Sequence, residues 1–367
     1  MIRAVCLKTE YLSNPSVIDI AFPKLFWKVQ GAVRQTAYQI KGCVDGREVY
    51  DTGKVEASDM YHKYGGELVS RNRVAWKVRL WDEADSCGEW SEEAFFEMGL
   101  LNEKDWTAKW IDPEPAHNSE ERQPASYLKK EFEVERTGHA RLYITAHGVY
   151  DAYINGIKAG DFILAPGTSQ YDVRLQYQSY DVSSLLRQGK NEIVVTIGDG
   201  WWRGDTGYGG ERNSFGTDLG LLCQLEIDKK TVLVSDGSWM ASQTGPLGHN
   251  DLMQGEQYDA RKEDICEWHP VTERKIGYGN LVCSNSFDVV EKEHFTGKRI
   301  DTPNGGLVID FGQNIAGYTQ LRLYAHEGQR ITIYHGECLD QHGNFTRENF
   351  QAPCHRVELS LIHISEP

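Results

Sequence analysis

From Arg73 the chain places Val74, Trp76, Val78 and Leu80 on alternate positions, with Ala75, Lys77 and Arg79 between them. A period of two puts one set on the buried face of a sheet and the other toward solvent. Short alternating runs of this kind recur along the chain with turn residues between them, and helical periodicity is nearly absent. The pattern predicts antiparallel sheets with one buried face. Asp45-Gly46 and Asn155-Gly156 supply the positive φ that tight hairpins need, so each predicts a strand on either side. The stretch VSSLLRQGKN predicts one helical turn stopped by Gly189. About seven strand-like runs in the first hundred residues suggest an immunoglobulin or fibronectin type III sandwich.

The composition shifts in LLNEKDWTAKWIDPEPAHNSEERQPAS, where prolines and carboxylates gather ahead of the next apolar strand. A linker of that kind sets the first domain boundary near residue 100. Residues 105–285 read as a jelly-roll, and residues 286–358 as the start of a further, incomplete sandwich. The expected fold class is all-β, in tandem β-sandwiches.

A chain of 367 residues exceeds one ordinary core, which agrees with several domains. Net charge is -15, and no block of Lys and Arg stands out. That argues against nucleic acid and against an anionic membrane surface as partners. No run approaches the roughly 20 apolar residues of a membrane span. The first twenty residues lack the apolar stretch of a signal peptide. Eight cysteines are scattered without a C-x-x-C pair, which predicts reduced thiols and a cytoplasmic location.

The stretch with most chemistry is IGDGWWRGDTGYGGERNSFG, Ile197 to Gly216. Pyranose rings present an apolar C–H face that stacks on aromatic planes, while their hydroxyls need multivalent polar partners. Trp201, Trp202, Tyr208 and Phe215 suit the first role; Asp199, Arg203, Asp205, Glu211, Arg212 and Asn213 suit the second. Trp201, Trp202, Arg203, Asp205, Arg212 and Asn213 form the candidate sugar-binding set. If the preceding strand continues, one tryptophan packs inward and its neighbour faces the ligand. Arg203 has a second reading, as an ion-pair partner of Asp199 or Asp205.

Other chemistries fare worse. His147, His249, His269, His335 and His342 have no metal-ligand spacing, so zinc is not expected. The glycine-rich loop lacks the Lys-Ser/Thr of a phosphate loop and the pattern of a dinucleotide helix. DFGQN, Asp310 to Asn314, has none of the companion motifs of a kinase and reads as a strand-end turn.

Several motifs occur together in one order: WSEEAFFEMGLLNEKDWTAKWI, YDAYINGIKAGDFILAPGTSQYDVRLQYQSYDV, GDGWWRG, GEQYDAR and DFGQNIAGY. In that order they resemble the bacterial α-L-rhamnosidases of glycoside hydrolase family 78, over nearly the whole chain. The resemblance implies an immunoglobulin-like first domain over residues 1–100. It implies that residues 105–285 are the family's N-terminal jelly-roll, a rhamnose-binding module in some members, and that a concanavalin-like sandwich begins at 286. It further implies a parent enzyme that hydrolyses terminal α-L-rhamnose with inversion, through acidic residues on an (α/α)6 barrel downstream of everything present.

Such an enzyme needs two carboxyls roughly 6.5 to 9.5 Å apart. No stretch resembles the family's catalytic segments, so no catalytic acid or base is assigned and the chain itself is expected to be inactive. Calcium is a further candidate ligand of the 199–213 loop, because the resemblance allows it and hard oxygen donors cluster there. The last nine residues, LSLIHISEP, 359–367, depart from the family and match the translation of a sequencing-library adapter, which predicts an adapter-derived tail on a truncated fragment. Two other functions compete: a stand-alone carbohydrate-binding protein, and a structural β-sandwich array.

Overall fold

The computed structural model of the chain describes residues 1–360, apart from 116, 118–120, 207–210, 266, 286, 323, 325, 327 and 349–355; residues 356–360 are described by their backbone. The first domain is a sandwich. A three-stranded sheet of Arg3–Thr9, Lys24–Gln30 and Tyr61–Lys63 faces one built on Ala37–Val44, Arg47–Asp51, Arg73–Trp81 and Ala94–Glu97. Val74, Trp76, Val78 and Leu80 all point into its core, as their alternation predicts. Asp45 and Gly46 adopt φ of 50° and 77° and close the hairpin that pairs Val44 with Arg47. Asn155 and Gly156, at 52° and 80°, do the same between Ile154 and Ile157.

The second domain stacks two larger sheets. One runs Ile157–Lys158, Val149–Ile154, Gly189–Gly198, Ser126–Val134, Met240–Ser242 and His269–Pro270. The other runs Thr272–Arg274, Trp110–Asp112, Gly220–Ile227, Ala140–His147, Leu175–Asp181 and Leu281–Cys283, with Lys230–Val234 on the side. The VSSLLRQGKN turn is a 3-10 turn over Ser183–Leu185, and Gly189 at φ 87° opens the next strand.

Ala140–His147 and Gly220–Ile227 are buried at every position. One face packs on the six-stranded sheet through Leu142, Ile144, Leu221 and Leu225. The other meets Val17 and Leu100 of the first domain, with Trp106, around Tyr143 and Leu222. A strand covered on both faces has no reason to alternate.

Reciprocal ion pairs lock this seam. Arg141 of the second domain donates to Glu97 of the first at 2.9 and 2.6 Å, and Arg71 of the first donates to Glu226 of the second at 2.6 and 2.6 Å. The Leu100 amide donates to Tyr177 Oη at 2.9 Å.

Beyond residue 286 the strands are short. Lys298–Asp301 pairs with Leu307–Asp310, and Cys338–Leu339 with Phe345–Thr346. Arg330–Tyr334 pairs with Arg356–Ser360, which runs parallel to Gly255–Asp259. Leu359 and Ser360 of LSLIHISEP lie in that strand; residues 361–367 fall outside the described ones. No described helix is long and apolar enough to cross a membrane.

Candidate functional site

The strand Gly189–Gly198 buries Asn191, Ile193, Val195 and Ile197 in alternation, then stops. Gly200, at φ 54°, turns the chain where a Cβ would meet Val149 Cγ1 at 2.6 Å, so only glycine fits there. A single helical turn follows over Gly200–Arg203. Because the strand does not continue, the two tryptophans do not divide between two sheet faces. Trp201 and Trp202 are both half-buried against the same cluster around Trp106, Tyr171 and Tyr177.

Trp202 belongs to a ring stack that runs Trp110, His147, Trp202, with Phe215 a further 6.3 Å from Trp202 at a tilt of 25°. Its ring lies 3.8 Å from His147, tilted by 1°, and His147 lies 4.2 Å from Trp110, tilted by 19°. Tyr171 meets Trp202 edge-on at 5.7 Å, and the indole N–H donates to the Asp218 carbonyl at 3.0 Å. Burial, helped by the Arg274 charge, pushes the His147 imidazole down to about 4. The ring is therefore neutral at pH 7 and stacks without a desolvated charge.

The stack lines a cleft of about 300 Å³ that takes in Trp202, Trp110, His147, Asp218 and Arg274. It shares Thr217, Asp218, Arg274 and Ile276 with a wider groove of about 850 Å³. Arg274 bridges Asp112 and Asp218, the latter at 2.8 Å, and so holds two carboxylates at the rim. An aromatic wall with a few convergent polar groups is the usual make-up of a small-ligand cleft.

Arg203 and Asp205 turn away from solvent into an ionic network. Arg203 is 1% exposed, donates to Glu114 at 2.6 and 2.9 Å and to Asp199 at 2.6 Å. This is the ion-pair reading of Arg203, with Glu114 added. Asp205 accepts two bonds from Arg122 at 2.8 Å and one from Gln254 at 2.7 Å. Arg122 also donates to Asp251 at 3.0 Å. Arg212 sits 3.7 Å from Asp205 and 4.0 Å from Asp199. Asn213 takes φ 61°, and its amide donates to the Arg203 carbonyl at 3.1 Å. Burial raises the Asp199 carboxyl, offset by Arg203.

Of the six candidates, Trp202 lines the cleft, Arg203 and Asp205 hold the network, and Arg212 lies at its edge. Trp201 packs beside the cleft and Asn213 sets the turn. Phe215 meets Tyr171 edge-on at 4.8 Å, Glu211 is exposed, and Tyr208 lies outside the described residues.

Sequence reasoning missed Trp110, Asp218 and Arg274 at the cleft, and Glu114 and Arg122 in the ionic network. The segment 100–126, read as a linker from its prolines and carboxylates, contributes a sheet strand, Trp110–Asp112, and two network residues. Its WID triplet between polar stretches was the available signal.

The donor set does not fit calcium. Glu114, Asp199, Asp205 and Asp251 already face guanidinium groups, which occupy the oxygens a cation would need. No three His, Cys, Asp or Glu among the described residues group to hold a metal.

The chain is a tandem array of β-sandwiches with an aromatic cleft in the second domain. Three family models match it in order. These are the Rha78A-like, N-terminal immunoglobulin domain over 4–102, the alpha-L-rhamnosidase N-terminal domain over 135–289, and the bacterial alpha-L-rhamnosidase concanavalin-like domain over 300–361. The chain belongs to the α-L-rhamnosidases of glycoside hydrolase family 78, as their N-terminal portion.

An α-L-rhamnosidase of Formosa agariphila is 31% identical over 94% of this chain and 41% of its own length. The crystal structure of an Aspergillus terreus α-L-rhamnosidase superposes at TM-score 0.90 with 29% identity, over 100% of this chain and 45% of that one. A Streptomyces avermitilis α-L-rhamnosidase solved with L-rhamnose superposes at 0.90 over 99% and 54%; at 23% identity it speaks for the fold alone. The chain thus spans about two fifths of the curated relative.

Proposed function

We propose that this chain is the N-terminal accessory part of an enzyme that hydrolyses terminal α-L-rhamnose from glycosides with inversion. The three rhamnosidase domains in order, over a chain of two fifths the relative's length, carry the reading. Inverting hydrolysis needs one carboxyl to protonate the leaving oxygen and a second to activate water. The acids of the jelly-roll loop are held instead by arginines, so they are not free to serve. The catalytic pair is assigned to the helical barrel that the family carries outside these residues.

The chain's own part is to bind a rhamnose unit of the substrate. Trp202 and the cleft wall take the apolar face of a 6-deoxy sugar, and the Asp218–Arg274 rim takes its hydroxyls. Rhamnose-containing glycosides or polysaccharides are the partners; nucleic acid and membrane are not. A cytoplasmic setting belongs to the same proposal. The test incubates the purified chain with a chromogenic α-L-rhamnoside and titrates it with L-rhamnose. No chromophore above a blank together with measurable binding heat is expected. Chromophore release would contradict the accessory role, and absence of heat would remove the sugar contact.

A further inference from the structure

The rhamnose cleft opens into a second space that a single sugar does not need. The cleft has about 300 Å³ and the groove beside it about 850 Å³, where a whole small-ligand site takes about 300–1,000 Å³. Thr217, Asp218, Arg274 and Ile276 belong to both walls, so the two spaces are continuous.

The two walls differ in chemistry. Trp110, His147 and Trp202 line the cleft, whereas the groove has no tryptophan, tyrosine or phenylalanine among its lining residues, and Pro115 and Ile276 are its apolar members. The carboxylates of the groove are engaged. Arg203 donates to Glu114, Arg274 bridges Asp112 and Asp218, and Glu273 accepts from Lys109 at 2.6 Å and from the Gly237 amide at 2.9 Å. Arg203, Arg274, Lys109 and Lys275 balance the four acids, so charge does not select the occupant. The groups left open are hydrogen-bonding ones. The Thr217 and Thr272 hydroxyls and the Lys275 ammonium have no hydrogen bond or ion pair among the described residues.

A flat apolar ring laid over such groups strips their water without replacing it, which costs free energy. A sugar replaces that water, because each of its hydroxyls both donates and accepts. We infer that the groove takes the sugar unit to which the rhamnose is attached, so that the jelly-roll recognises a rhamnosyl-oligosaccharide in preference to a rhamnoside of an aryl alcohol. This rests on the rhamnose reading of the cleft. The cleft contributes stacking on the 6-deoxy ring, and the groove contributes hydrogen bonds to its neighbour.

The test is isothermal titration of the full chain with L-rhamnose, an α-L-rhamnosyl-glucose disaccharide and para-nitrophenyl α-L-rhamnoside. The disaccharide should bind about tenfold more tightly than L-rhamnose, the gain from one or two net hydrogen bonds. The nitrophenyl glycoside should stay within about twofold of L-rhamnose. Thr272→Val combined with Lys275→Ala should bring the disaccharide to within about twofold of L-rhamnose. Both positions are exposed and valine keeps the β-branch of the edge strand, so this variant should melt with the parent. Heat from none of the three ligands would remove the rhamnose reading and this inference with it. Three results would overturn the inference and leave the rhamnose reading standing: L-rhamnose heat with no gain for the disaccharide, an equal gain for the nitrophenyl glycoside, or the full gain in the double variant with an unchanged melt.

Discussion

The jelly-roll and the region after residue 286 use the same kind of sequence to opposite effect. GLLCQLEI, Gly220–Ile227, is buried at all eight positions; LVID, Leu307–Asp310, is a paired strand whose Leu307 is 63% exposed. Among the described residues after 286, Thr302 is the one classed as buried, while Phe287, Tyr318 and Tyr324 are exposed. Apolar, β-branched residues form strands in both regions. Burial depends on a facing layer, and the jelly-roll has one on each side of its central strands. Strand formation and core formation are separate events, and alternation reports the first.

The sharpest break of this contrast lies in the jelly-roll's ionic network. Arg203→Ala takes from the buried Glu114 and Asp199 the guanidinium they share, leaving Arg212 4.0 Å from Asp199, and should cost about 3–5 kcal/mol. A urea midpoint within error of the parent would show that the network is not structural. Next comes a matched pair of truncations. Leu225→Ala should cost about 2–5 kcal/mol, the range for fully buried leucines. Ile309→Ala, at a position 47% exposed, should stay within about 0.5 kcal/mol. Equal losses would erase the distinction between the regions.

At the domain seam, Arg141→Ala should cost about 2 kcal/mol, less than Arg203, because Asp181 beside it is half-exposed. Adding Glu97→Ala should recover part of that loss by removing the orphaned carboxylate. A fully additive double mutant would argue that the pair does not couple the domains.

The contrast also has a pH dependence. His147 is harder to protonate folded, at about 4, than unfolded, at about 6.5. The unfolded chain therefore binds more protons between those values. The stability this contributes is present above pH 6.5 and is lost as pH falls toward 4. His147→Phe keeps the stack and should flatten the urea-midpoint profile across that window. An unchanged slope would place the sensitivity elsewhere.

Much of this was legible in the chain. Asp45-Gly46, Asn155-Gly156 and the Val74 to Leu80 alternation report local backbone preference, which neighbours cannot easily override. The candidate loop was located, and Trp202 does line a cleft. What the loop does was not legible, because its meaning is set by distant partners. The sequence left Arg203 between a ligand contact and an ion pair with Asp199 or Asp205, and its bond to Glu114, 89 residues earlier in the chain, carried no local signal. Trp110 and Arg274 are unremarkable in their own stretches, and only the pairing of Trp110–Asp112 with Thr272–Arg274 sets them at one cleft. The strand expected to carry Trp201 and Trp202 on opposite faces ends at Gly198, and a helical turn over Gly200–Arg203, too short to show a period, takes its place.

The central claim, that the jelly-roll meets rhamnose through the stacked cleft rather than through the whole loop, is tested most directly by calorimetry. L-Rhamnose is titrated into the parent chain, Trp202→Ala and Trp201→Ala, each first shown folded by circular dichroism. Binding heat in the parent and in Trp201→Ala, with none in Trp202→Ala, is the predicted result. Equal heats in the parent and Trp202→Ala would contradict it.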